Sequence, residues 1–371
     1  MVPHTDQQVQ KFDQDVHGAT TDITKAPEES TTTDPKHSVR EASNVTHTAD
    51  NKPKMILWYN LPFWLKRYSQ DMNFQQCAFK SCLLSFDKRK AKESSVILFE
   101  QYLPKKAPKK LAGQKWGFLS IEPPPGTGKL YNQVQWKDKF DWIINYHRDA
   151  DFKLPYGEIT KQEHIPEIDY RGVFAEKTKL LVTMNSNCHA LSRREVYFEE
   201  LMKYLPIDQY GECGNMSCTG DRTNQEDRAK CHKKLSARYK FYLAFENSFC
   251  EDYTTEKYFN QIRDNNFMIP VVRGSPNMKE YIPSDTYINV NDFDSPKTLA
   301  EYLLKVGNDE KQYTVYLRNK HKYKTYSERE LYYRTLCSIC QRIHTNPGAL
   351  TPKDLNKYFQ NKCHEPRDLD F

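Results

Sequence analysis

The stretch Tyr239 to Lys257, YKFYLAFENSFCEDYTTEK, decides the fold. Phe241, Leu243 and Phe245 alternate with Tyr242 and Ala244, the period of a half-buried or fully buried strand. The run ends in Glu246, Asn247 and Ser248. Ligands of open parallel sheets sit beyond the carboxyl ends of the strands, so polar groups at this point predict a site. Tyr253, Thr254, Thr255, Glu256 and Lys257 then lead into a predicted helix, whose N-terminus favours phosphate through free N–H groups and the helix dipole.

Two βα series surround this unit. The first predicts strands at Met55 to Tyr59, Val96 to Phe99, Lys115 to Ile121 and Trp142 to Tyr146, with a basic, proline-rich loop at Leu103 to Lys110. The second predicts strands at Lys179 to Met184, Ile207 to Tyr210, Tyr239 to Phe245, Ile269 to Val272 and Tyr287 to Val290. Helices are expected at Arg193 to Leu205, Thr255 to Asn265 and Pro296 to Val306, the last with Ser295 as cap and proline in its first turn. Such alternation implies a parallel sheet covered by helices. Its occurrence twice predicts an α/β protein of two Rossmann-like domains facing each other across a cleft.

At 371 residues the chain is long enough for two domains. Its net charge of +6, from 55 basic and 49 acidic residues, is too mild and evenly spread to argue for nucleic acid, yet suits an anionic nucleotide diphosphate. Residues 1–53 are polar with single apolar residues and one aromatic, Phe12, which predicts a disordered stem. One domain is expected over 54–172, a second over 173–345 and a tail over 346–371. No run of 18 apolar residues occurs, and the N-terminus lacks the apolar core of a signal peptide.

Ten cysteines, with glycosylation sequons at Asn44 and Asn215, predict disulfides and the secretory pathway. Candidates for pairing are Cys213, Cys218, Cys231, Cys250 and the CxxC of Cys337 and Cys340. Zinc held by Cys337, Cys340, His344 and Cys363 is the competing expectation, and free buried thiols at Cys77, Cys82 and Cys188 are a third. Pro124 to Lys129, PPGTGK, fails as a P-loop, because Pro123 stands where glycine is needed and Leu130 where Ser or Thr is needed. Asp149 and Asp151 have the spacing of a carboxylate metal clamp, but they follow an apolar run outside the nucleotide half and are expected to be structural.

The FEN strand end followed by Tyr-x-Thr-Glu-Lys closely resembles the signature of the α1,3-fucosyltransferases, glycosyltransferase family 10. Two further blocks resemble the family: Lys179 to Leu201, with its SNC turn and an arginine-bearing helix, and Trp116 to Gly157, with EPPP and the ending Tyr146 to Gly157. The resemblance covers Met55 to His344, and the insertion Gly211 to Cys231 is similar to invertebrate members. It implies a GT-B fold, a disulfide-bonded CxxC near Cys337, Golgi residence through a membrane anchor absent from this sequence, and GDP-fucose as donor with an N-acetylglucosamine-containing glycan as acceptor. No cofactor is expected to be required, manganese acting only as a stimulant of GDP release.

Transfer from a β-linked donor to an α-linkage inverts the sugar carbon. It needs a carboxylate to take the acceptor proton, and donors to stabilise the departing diphosphate. With the resemblance, Glu122 is the expected base; alone it reads as a surface glutamate at a strand end. Arg194 and Lys257 are expected on the diphosphate. The resemblance places Asn247, Tyr253 and Glu256 on hydroxyls of ribose and fucose. Lys240 is a further candidate for phosphate, against the commoner outcome of a snorkelling strand lysine. A relative using another nucleotide sugar, or an inactive glycan-binding relative, is the alternative function.

Overall fold

The computed structural model describes residues 52–126, 132–218, 225–263, 266–345 and 350–371. Asn44, Lys129 and nearly all of the expected stem lie outside them.

Six parallel strands form the first sheet: β1 (Lys54–Trp58), β2 (Cys82–Ser85), β3 (Val96–Glu100), β4 (Lys115–Leu119), β5 (Trp142–Asn145) and β6 (Phe152–Lys153). Their order is β2-β1-β3-β4-β5-β6. After β7 (Ile159–Lys161) come β8 (Lys179–Met184), β9 (Ile207–Tyr210), β10 (Tyr239–Phe245), β11 (Phe249–Cys250), β12 (Ile269–Arg273), β13 (Ile288–Asn289), β14 (Tyr323–Thr325) and β15 (Cys363–His364). Five of these make a second parallel sheet in the order β13-β12-β10-β8-β9. The strands β7 and β14, and likewise β11 and β15, pair antiparallel. Residues of β3 and β10 are buried on both faces, which explains their near-continuous apolar sequences.

The helices are α1 (Phe63–Gln70), α2 (Tyr170–Glu176), α3 (Arg194–Leu201), α4 (Gln225–Arg238), α5 (Glu256–Ile262), α6 (Pro296–Asn308), α7 (Glu310–Lys320), α8 (Glu328–Thr345) and α9 (Leu355–Phe359). Ser295 caps α6 in a reciprocal capping box with Thr298. In the first sheet Ile56, Trp58, Val96 and Leu98 face one side, where Leu331, Tyr332, Leu336, Ile339 and Ile343 of α8 cover them. Leu57, Ile97, Phe99, Trp116 and Phe118 face the other side, against Leu355 and Phe359 of α9. The expected domain boundary at 345 and the tail at 346–371 are therefore corrected. Both α8 and α9 belong to the core of the first sheet, because their apolar faces complete its two sides.

All ten cysteines are bonded. The CxxC does not close on itself: Cys337 joins Cys77, and Cys340 joins Cys82. One helical turn puts both sulfurs on the same face of α8, toward the segment around β2. The remaining pairs are Cys188 with Cys213, Cys218 with Cys231, and Cys250 with Cys363. Free thiols at Cys77, Cys82 and Cys188 are thus excluded. So is the zinc alternative, since Cys363 bonds elsewhere and oxidised sulfurs are not thiolate ligands.

Candidate active site

The carboxyl end of β10 holds a compact charged cluster. Glu246 is 3% exposed. It accepts from the Thr255 N–H at 2.8 Å, from the Thr255 hydroxyl at 2.9 Å and from Lys257 Nζ at 3.1 Å. Lys257 also donates to Thr255 Oγ1 at 2.9 Å and to Glu256 at 3.3 Å. Burial works against the Lys257 charge, but Glu246 and then Glu256 outweigh it, and the ammonium titrates above the ordinary lysine range. Asn247 Oδ1 is buried without a hydrogen-bond partner among the described residues. A buried amide oxygen with an unused lone pair beside such a cluster is suited to accept a hydrogen bond from a hydroxyl.

Glu122 comes to this cluster from the first sheet. It follows β4, and no hydrogen bond or ion pair to a described residue ties its carboxylate. Burial first, then Glu256, push its carboxyl up; Lys257 opposes and Glu246 adds to the rise. Those partners place Glu122 within the field of the FEN and TEK residues. A half-buried carboxylate of raised pKa with no fixed partner is suited to take a proton.

Aromatic side chains join the two halves. The Tyr253 ring lies 5.1 Å from Tyr146 and 6.0 Å, edge-on, from Tyr156. Tyr156 donates its hydroxyl to the Ile121 carbonyl at 2.8 Å. Asp252, at φ 58°, is held there by Asn277 through both main chain and side chain, and by Arg148 at 2.8 Å. Sequence reasoning missed Tyr156, Asp252 and Asn277 as contacts, because their partners are distant in sequence. It also missed Glu100, which ends β3 beside β4. Burial pushes the Glu100 carboxyl up to about 7, the Tyr102 N–H opposing and Glu122 adding to the rise.

Other expected site residues fall differently. Arg194 is buried, and its guanidinium donates to Phe245 O at 2.7 Å and Asn187 O at 2.9 Å, so it braces the end of β10. Its neighbour Arg193 is exposed and left-handed at φ 49°, which aims only Arg194 inward. Lys240 does not reach the site. It starts β10, at the opposite pole of the sheet, where it donates to Gly307 O and lies over the Phe174 ring. Asp149 is engaged by Lys362 at 2.9 Å and Tyr358 at 2.8 Å, and Asp151 by Lys353 at 2.8 Å. These are structural pairings with the C-terminal segment. Asn215 is exposed.

Two parallel sheets with a charged cluster at the carboxyl end of one and a carboxylate arriving from the other define an α/β protein of the GT-B type. Residues 51–157 match the model "Fucosyltransferase, N-terminal", and residues 174–358 match "Glycosyltransferase family 10 (fucosyltransferase) C-term". The chain belongs to glycosyltransferase family 10. It is 32% identical over 326 residues to Glycoprotein 3-alpha-L-fucosyltransferase A of Drosophila melanogaster, covering 84% of this chain and 61% of that one. It is 29% identical to Alpha-(1,3)-fucosyltransferase fut-1 of Caenorhabditis elegans, covering 82% and 70%. The chain thus spans roughly two thirds of the length of these relatives. A crystal structure of an α1,3-fucosyltransferase with GDP-fucose shares the fold at 16% identity, with a TM-score of 0.52, over 81% of this chain and 93% of that one.

Proposed function

We propose that the protein is an inverting transferase that moves L-fucose from GDP-β-L-fucose to the 3-hydroxyl of an N-acetylglucosamine in a glycan. The observation that carries this reading is the convergence of Glu122 with Glu246, Glu256 and Lys257. Glu122 takes the acceptor proton as the hydroxyl oxygen attacks the sugar carbon. The bond to the β-phosphate breaks on the opposite face, and GDP leaves with its added charge stabilised by Lys257, while Arg194, its guanidinium held by two main-chain carbonyls, steadies the end of β10 beneath it. Asn247, Tyr253 and Glu256 hold donor hydroxyls. Transfer is expected to proceed without a metal; the pairing of Asp149 with Lys362 and of Asp151 with Lys353 supports that expectation by occupying the two carboxylates with clamp spacing. The EPPP block after β4 resembles the Lewis-type enzymes that modify lactosamine antennae. The Arg194 helix and the Gly211 to Cys231 insertion resemble invertebrate members, some of which modify the N-glycan core, so these are the two acceptors to compare.

Among the described residues no helix is long and apolar enough to cross a membrane. Five disulfides and the exposed Asn215 sequon suit the oxidising Golgi lumen. The test is incubation with GDP-fucose and a panel of antennary and core glycans in excess EDTA, read by product mass. One added deoxyhexose is expected, and manganese raises only its rate. No product with GDP-fucose, or complete dependence on manganese, overturns the reading. Stabilisation against heat by a different nucleotide in place of GDP identifies the alternative donor.

A further inference from the structure

The dipeptide Tyr156-Gly157 touches both halves of the site at once. On the acceptor side the Tyr156 hydroxyl donates to Ile121 O at 2.8 Å, one residue before Glu122. On the donor side its ring meets Tyr253 edge-on at 6.0 Å. Gly157 approaches α5, which begins with Glu256 and Lys257, so closely that an added Cβ would lie 2.1 Å from Phe259 Cδ1. Only a residue without Cβ lets the backbone run this near the ring. We propose that Tyr156 is a positioning residue, and Tyr156-Gly157 the joint that fixes the loop of Glu122 against the donor-binding residues. It rests on the fucosyl-transfer reading and adds a residue that reacts with nothing itself.

The geometry separates this role from donor binding. The Tyr156 hydroxyl donates to the base loop at Ile121 O and also faces the Tyr253 side chain, whereas the edge-on packing against Tyr253 belongs to the ring, which Tyr156→Phe keeps. One such hydrogen bond corresponds to a factor of about ten in rate when it holds a reacting group in place. The experiment compares parent, Tyr156→Phe and Gly157→Ala in full-chain protein, by kcat and KM for fucosyl transfer, by GDP affinity and by Tm. The expected result for Tyr156→Phe is a loss of about tenfold in kcat, a displaced acidic limb of kcat/KM, and GDP affinity unchanged within about twofold. Gly157→Ala, which drives the joint off Phe259, should lower kcat further. Parental turnover in Tyr156→Phe overturns the joint while leaving the transfer reading intact. A fall in GDP affinity that parallels the loss of kcat, or a Tm lowered by more than about 5 °C, marks a general structural role and overturns it too. A parent chain with no transfer overturns both proposals.

Discussion

Glu122 and Lys257 stand on opposite sides of the bond that breaks in the proposed reaction, so their substitutions should carry opposite signatures. Glu122→Gln keeps the shape and removes the base. It should lower kcat by about 10²–10⁴-fold with GDP affinity nearly unchanged, and the acidic limb reporting the Glu122 carboxyl should vanish from any residual activity. That limb should lie above the ordinary glutamate range, because burial and then Glu256 raise the carboxyl in the folded enzyme. Lys257→Ala should instead weaken GDP by ~1.5–3 kcal/mol, the range for hydrogen bonds to charged groups. Calorimetry with parental GDP affinity in Lys257→Ala, or near-parental turnover in Glu122→Gln, would remove these residues from their roles. Arg194 is a poorer probe, because two main-chain carbonyls depend on its guanidinium.

At the scale of elements, the C-terminal segment straps the molecule together. The short strand β15 pairs with β11, Cys363 bonds to Cys250, and Asp368 grips Arg273 with two bonds of 2.7 Å. Arg273 is wholly buried beneath Tyr197 and Phe249 and also donates to Ser192 O at 2.9 Å. Asp368→Ala leaves that guanidinium without its counter-ion. Breaking a fully buried pair costs ~3–5 kcal/mol, and because Asp368 is a quarter exposed a loss of about 2 kcal/mol is expected in urea unfolding. Unfolding at the parental midpoint would show that the pair contributes nothing. This strap was illegible in sequence because it has no periodic apolar pattern, and its partners lie far away in the chain. The strands were legible for the opposite reason: β3 and β10 are nearly continuous runs of apolar and aromatic residues. The motif residues of the site were legible through Glu246 to Lys257, whereas the contact of Tyr156 with Ile121 depends on how two sheets meet.

Across the whole molecule, charge is handled differently at the two poles of the second sheet. At the carboxyl pole Lys257 has acidic partners. At the amino pole Lys177 and Lys320 are buried and donate to main-chain carbonyls, Lys177 to Ser236 O and Lys320 to Asn266 O and Met268 O. Lys240, once a candidate for the donor site, belongs to this pole. Burial lowers the Lys177 ammonium to about 7, Glu176 opposing and Lys240 adding to the fall, and burial lowers Lys320 well below the ordinary lysine range. A base with a lowered folded-state pKa binds its proton more readily when unfolded. Stability from Lys177 is therefore present in full above the unfolded lysine value and is lost as pH falls toward 7. Between pH 7.5 and 9, below the range where unfolded tyrosines ionise, unfolding free energy should rise with pH by up to ~1.4 kcal/mol per unit for each such lysine. Lys177→Met should flatten that slope without touching the transfer site. An unchanged slope in urea unfolding across this window would mean that Lys177 keeps its proton on folding, with water or a carboxylate reaching it.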